Sequence, residues 1–140
     1  KMRYGTRAML DLALHYGQGP LSSAAIAEQQ AVSVKYLEHL MAQLRNAGLV
    51  RSTRGAHGGH QLSRAPELID LQAIYDVFEG TEGLVDCLTC LPPCARQPIC
   101  PTQAVWAQMD AACRQVLHGT TLADLVARTR QMDATTPDGS

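Results

Sequence analysis

The chain has 140 residues, 46% apolar, 18% charged and only 4% aromatic, with a net charge of −1. That is one domain's length, with enough aliphatic material for a core and too few charges for general disorder. No apolar run is long enough to cross a bilayer and no charged-then-apolar leader opens the chain, so the expectation is a cytoplasmic protein with no membrane partner.

In chain order, Met2 to Tyr16 reads as a helix, with Met9, Leu10, Ala13 and Leu14 at helical spacing and Gly17-Gln18-Gly19-Pro20 as its stop. Ser22 or Ser23 then caps a short helix through about Gln30. After a break at Ala31-Val32-Ser33, Leu37, Leu40, Met41 and Leu44 form the apolar stripe of another helix, ended by Asn46 to Gly48. Leu49–Thr53 and His60–Leu62 flank a glycine-rich tip and predict a hairpin. Leu68 to Glu79 reads as a helix, with Leu71, Ile74, Tyr75 and Phe78 on one side and Gly80 at its end. Thr81 to Cys100 has no period but four Cys and three Pro. Pro101 opens a long helix to Gly119. Thr120 or Thr121 caps a last helix to about Met132, and a small polar tail follows.

The charge is unevenly spread. Residues 1–64 hold eight Lys or Arg and three acids, whereas residues 65–140 hold the other four bases and ten acids. Ten of the twelve bases are Arg, whose planar fork suits phosphate and guanine. A basic first half suggests a face that meets a polyanion.

Helix, short helix, tight turn, helix and hairpin is the order of a winged helix-turn-helix. The recognition helix would present Ser33, Lys35, Tyr36, Glu38 and His39 to base edges or phosphates, with Leu37, Leu40 and Met41 turned inward. Arg51, Arg54, His57 and His60 surround the glycines of the hairpin and would project as a basic wing. The competing reading is a plain helical domain with a solvated hairpin. A metal role for His57 and His60 is the weaker one, since no Cys or acid adjoins them.

Four of the five cysteines fall between Cys87 and Cys100, at positions 87, 90, 94 and 100. Clustered thiolates on a proline-stiffened loop are soft ligands suited to an iron–sulfur cluster or zinc. Disulfides and a redox dithiol at Cys87-x-x-Cys90 are the alternatives. Cys113 lies on the apolar stripe of the long helix and reads as buried packing, Trp106 as core or interface. His15 and His118 sit near helix ends, where a cation suits the dipole. No acid–base pair, nucleophile–base pair or phosphate loop is visible, so the reading is not an enzyme.

Several segments together resemble one family. They are Arg3-Tyr4-Gly5 with Ala8 to Leu14, Ser33-Val34-Lys35-Tyr36-Leu37-Glu38, Leu44-Arg45 through Val50, Arg54-Gly55 with Gly58-Gly59, and Cys100 followed by Thr102, Ala104 and Trp106. From Arg3 to about Val126 the chain is similar to the IscR/NsrR-type (Rrf-two) family of bacterial winged-helix transcription regulators. The resemblance implies a mainly α fold with a small β-hairpin wing and a long C-terminal dimerisation helix.

It implies a winged helix-turn-helix over 1–80, a cluster loop over 81–100, dimerisation and terminal helices over 101–132 and a flexible tail over 133–140. It also implies a homodimer on double-stranded operator DNA, contacting it through Arg3 and the helix and wing residues above. The dimer interface would be Val105, Trp106, Met109, Ala112, Val116 and Leu117. A 2Fe–2S or 4Fe–4S cluster would be held by Cys87, Cys94 and Cys100, sensing redox state, nitric oxide or iron. Three positions depart from the family pattern. Some members place a His ligand where Gln103 stands, Cys90 is an extra thiol that would fill that vacancy, and the wing ends Gly59-His60 instead of Gly-Gly-Tyr. A regulator of the same fold without a cluster, in which Cys87, Cys90 and Cys94 form a reversible disulfide, is the alternative.

Overall fold

The computed structural model describes residues 1–80, Leu88 and 95–135. Cys87, Cys90 and Cys94, most of the expected cluster loop and tail residues 136–140 lie outside them. The described chain is six helices and one antiparallel hairpin: α1 Met2–Leu14, α2 Ser23–Gln30, α3 Val34–Asn46, β1 Val50–Thr53, β2 Gly59–Leu62, α4 Leu71–Glu79, α5 Pro101–His118 and α6 Leu122–Thr135. The expected mainly helical fold with a small hairpin wing is what forms.

Local chemistry sets the boundaries. The Ser22 hydroxyl accepts from the Ala25 N–H at 3.1 Å and starts α2; Ser33 accepts from Tyr36 N–H at 3.0 Å and starts α3. Thr121 and Asp124 cap each other reciprocally at the start of α6, each side chain accepting from the other's backbone N–H. That helix runs on past Met132 to Thr135.

The helix expected from Leu68 begins only at Leu71. Pro66–Leu68 forms a 3₁₀ turn, and Asp70 accepts from the Ala73 N–H as the true cap. The backbone between them is already used elsewhere. Leu71 N–H donates to Thr120 C=O and Leu122 N–H to Ile69 C=O, both at 2.9 Å, so Ile69 and Asp70 are extended and Asp70 bridges antiparallel to Thr121.

The core gathers the inward stripes of α1, α2, α3, α4 and α6. Met9, Ile26, Leu40, Met41, Leu44, Ile74 and Leu122 are fully enclosed. Gln30, buried on α2, donates to the Asp11 carboxylate of α1 at 2.5 Å. Burial still raises the Asp11 pKa, against the opposing effects of Gln30 and Arg7. Gly5 lets α1 and α4 touch: a side chain there would run into the Phe78 ring. Gly59 plays the same part for the wing, at φ +156, where a Cβ would strike the Leu21 carbonyl. Leu21 and His60 then exchange backbone hydrogen bonds of 2.9 and 2.8 Å, sewing β2 to the start of α2.

The tight turn between α2 and α3 rests on an unusual residue. Ala31 is exposed and left-handed, with φ 56 and ψ 44. That conformation costs an L-residue about 1–2 kcal/mol, from which glycine's greater unfolded-state entropy subtracts about 0.4–1 kcal/mol. Ala31→Gly is therefore expected to raise the unfolding free energy by about 0.5–1 kcal/mol in urea titration. A lower midpoint would contradict it.

Two expectations about burial fail. Cys113 is exposed, not packed inside, because the stripe it belongs to faces away from the core: α5 buries none of its residues. His60 does not project from the wing. It is only 4% exposed, since it shares the inward face of β2 with Leu62.

Candidate nucleic-acid interface

The first turns of α3 present Ser33, Lys35, Glu38 and His39 to solvent, while Leu37, Leu40 and Met41 lie in the core. Tyr36 is half-buried and packs edge-on against Tyr4 of α1, ring centroids 6.0 Å apart at 88°. The Arg3 and Arg7 guanidinium carbons stand 5.9 and 5.8 Å from the centroid of that Tyr4 ring. Tyr36 is thus both a surface group and the contact that brings α1's arginines beside α3. Arg7 and Tyr4 were missed in the sequence, although the Arg3–Arg7 spacing already places both bases on one face of α1.

The wing supplies the second set of cations. Arg51, Arg54 and His57 are exposed on β1 and the tip. The hairpin is in register from Val50 opposite Leu62 to Thr53 opposite Gly59. Arg45, near the end of α3, donates to the Ser52 hydroxyl of β1 at 3.2 Å and ties the wing to α3. Helix and wing therefore form one continuous surface bearing Arg3, Arg7, Lys35, Arg45, Arg51 and Arg54, with Glu38 as the acid within it.

Beneath that surface lies His60. Its Nδ1 is 2.8 Å from Ser52 Oγ and its Nε2 2.7 Å from Ser23 Oγ. The Ser23 hydroxyl donates in turn to Glu38 Oε1. Burial lowers the His60 pKa, Glu38 opposes that shift, and Arg45 adds to it. Both ring nitrogens are thus occupied by hydroxyls, which leaves the metal role considered for His57 and His60 without a free donor on His60.

Cys100 is the residue immediately before α5, half-exposed, with Pro101 in the first turn. Its Sγ is 3.0 Å from Thr102 Oγ1. The Thr102 hydroxyl, then the Gln103 and Thr102 backbone N–H groups, lower the thiol pKa, with a smaller contribution from Arg96 and opposition from desolvation. These contacts favour the thiolate, the form that ligates a soft metal. Among the described residues no three His, Cys, Asp or Glu side chains converge on a common metal position.

Along α5, Val105, Met109 and Val116 are 49%, 48% and 65% exposed; Ala112 is exposed, and Trp106 and Leu117 are half-buried. Met2, Tyr75, Ala112, Cys113, Val116 and Leu117 line an apolar hollow of about 510 Å³. The far end of α5 is tied to α4, His118 Nδ1 lying 3.3 Å from the carboxylate of the α4 cap Asp70. No helix among the described residues is long and apolar enough to cross a membrane.

Over residues 1–128 the chain matches the family described as Rrf2, iron-dependent transcriptional regulator. It is 42% identical over 126 residues to the protein rrf2 of Nitratidesulfovibrio vulgaris, covering 90% of this chain and 84% of that one. The structure is similar to that of CymR, the global cysteine regulator of B. subtilis, with a TM-score of 0.77 and 38% identity over 91% of this chain and 93% of that one. It is also similar to IscR of T. potens, with a TM-score of 0.78 and 38% identity over 99% of this chain and 90% of that one. The chain belongs to the Rrf2 family of winged-helix transcriptional regulators, and it is a regulator rather than an enzyme.

Proposed function

We propose that the protein is a cytoplasmic homodimer that binds operator DNA with an affinity set by an iron–sulfur cluster in its cysteine loop. The reading head carries the DNA half of this reading: a capped helix start with exposed polar side chains, beside an Arg–Tyr cluster and a basic wing. In it Ser33, Lys35, Glu38 and His39 enter the major groove. Arg51, Arg54 and His57 follow the backbone, while Arg3 and Arg7 add phosphate contacts from α1.

The donor set fits an iron–sulfur cluster: three thiols at the family spacing, of which Cys100 is held in a thiolate-favouring position. Cys87, Cys94 and Cys100 would hold it, with Cys90 or Gln103 at the fourth position. When bound, the cluster supplies a centre sensitive to oxidants, nitric oxide and iron supply.

The chain carries a change at that loop toward DNA through its own contacts. Cys100 leads directly into α5. The end of α5 meets Asp70 through His118, and residues 69–71 pair with 120–122. Phe78 of α4 lies against Gly5 of α1, and α1 bears Arg3, Tyr4 and Arg7. A small rotation of α5 therefore reaches the reading head through packed elements, and in a dimer it alters the spacing of two recognition helices. A cluster-free thiol switch is the second reading, supported by the likeness to the cysteine regulator CymR. Anaerobic purification distinguishes them: a brown protein supports the cluster, and a colourless one supports the thiol switch.

The DNA assignment is tested with a duplex selected by the protein from a randomised pool. Lys35→Ala and Arg54→Ala are each expected to weaken binding in fluorescence anisotropy. Arg54→Ala should also reduce the slope of log affinity against log salt by about one. Equal affinity and equal slope in parent and variants would refute the assignment.

A further inference from the structure

We propose that Ser23 and His60 are positioning residues that fix the Glu38 carboxylate at the groove-facing surface, making it the base-selecting group of the recognition helix. This rests on the DNA-binding reading above and adds what sets its specificity.

An ionised Glu38 only accepts, so the single Ser23 hydroxyl proton is committed to it. The Ser23 oxygen, 2.7 Å from His60 Nε2, must then accept, which places the ring proton on Nε2. In the neutral imidazole Nδ1 is left as an acceptor, and the Ser52 hydroxyl 2.8 Å away donates to it. The Ser52 oxygen accepts from Arg45 Nη1 at 3.2 Å. Every shared proton runs one way, from Arg45 through Ser52, His60 and Ser23 to Glu38.

This chain crosses four elements: α3, β1, β2 and α2. It begins and ends on α3, so the wing and the helix start are locked to the helix that carries Glu38. Its middle member is buried at 4% exposure, whereas the Glu38 side chain remains 50% exposed. One carboxylate oxygen is thus anchored. The other takes no hydrogen bond from the described residues. A free glutamate among the Arg and Lys of this surface would swing between them; an anchored one presents an acceptor at a fixed height. In the major groove the matching donor is the cytosine amino group, and a phosphate is repelled. The position where the family pattern has tyrosine is His60 here, so this selection device is a property of this chain.

Ser23→Ala isolates the idea. Ser22 remains the cap of α2, and Ala suits a first helical position, so the helix does not depend on the Ser23 hydroxyl. The full chain, Ser23→Ala, Ser23→Thr, Glu38→Gln and the double variant are each used to select duplexes from a randomised pool, followed by sequencing. Glu38→Gln is expected to lose cytosine preference at one position per half-site. Ser23→Ala should lose preference at the same position by about fivefold or more, Ser23→Thr should restore it, and the double variant should lose no more than Glu38→Gln. Long-range nitrogen–proton correlation should show His60 as the Nε2–H tautomer in the parent. If Ser23→Ala keeps the parental profile while Glu38→Gln changes it, the positioning role is overturned and DNA binding stands. If Glu38→Gln leaves every position unchanged, the selecting role of Glu38 is overturned. If the parent enriches no duplex at all, both this proposal and the DNA reading fall.

Discussion

Met109→Asp is expected to leave the protein monomeric and to lower its affinity for duplex DNA by about a hundredfold or more. The apolar positions Val105, Met109, Ala112 and Val116 recur with steps of four, three and four, the spacing by which one helix packs against another helix. Among the described residues nothing buries them: α5 has no buried residue, and Met109 is 48% exposed. The apolar hollow beside Ala112 and Val116 continues the same face. In the proposed homodimer, a second copy of α5 would supply what the spacing asks for.

An aspartate at the centre of that contact appears once from each protomer. Desolvating both carboxylates costs several kcal/mol each. The affinity loss follows because a dimer's second half-site binds intramolecularly, an advantage a monomer lacks. Light scattering reads the mass, and anisotropy the binding. A Met109→Asp protein with dimeric mass would contradict the assigned interface.

The second large effect is at Cys100. Cys100→Ala is expected to abolish iron and sulfide incorporation during anaerobic preparation, since only Cys87 and Cys94 of the three family-spaced thiols would remain. The substitution tests ligation and not helix formation, because Cys100 makes no side-chain cap to α5. Thr102 and the Gln103 N–H lose only the thiolate they favour. Cys113→Ala should retain the cluster, since Cys113 lies on α5 itself, outside the Cys87–Cys100 segment. Full iron and sulfide content in Cys100→Ala would remove Cys100 from the ligand set.

Much of the reading head was legible because its signals are local. Ser33 and Gly48 bracket α3 within a single apolar stripe, and three glycines mark the hairpin tip. What escaped depends on partners distant in sequence. The start of α4 moved from Leu68 to Leu71 because residues 69–71 pair with residues 120–122, a contact no helical period reveals. His60 passed for a wing cation because the hairpin around it is basic. Its role is set by Ser23, Ser52 and Glu38, which only the folded chain brings together. Cys113 reads as core from the sequence because an apolar stripe usually faces its own domain. On α5 it faces outward, and the stripe that suggests packing is the exposed apolar face on which the proposed dimer would form.

In the proposed mechanism the cysteine loop sets the affinity of the reading head. One titration tests it most directly: parent and Cys100→Ala, both prepared without oxygen, against the selected duplex in fluorescence anisotropy at fixed salt. A coupling of about 1–3 kcal/mol between loop and DNA predicts dissociation constants that differ by about 5–150-fold. Superimposable curves from an iron-loaded parent and an iron-free variant would contradict it.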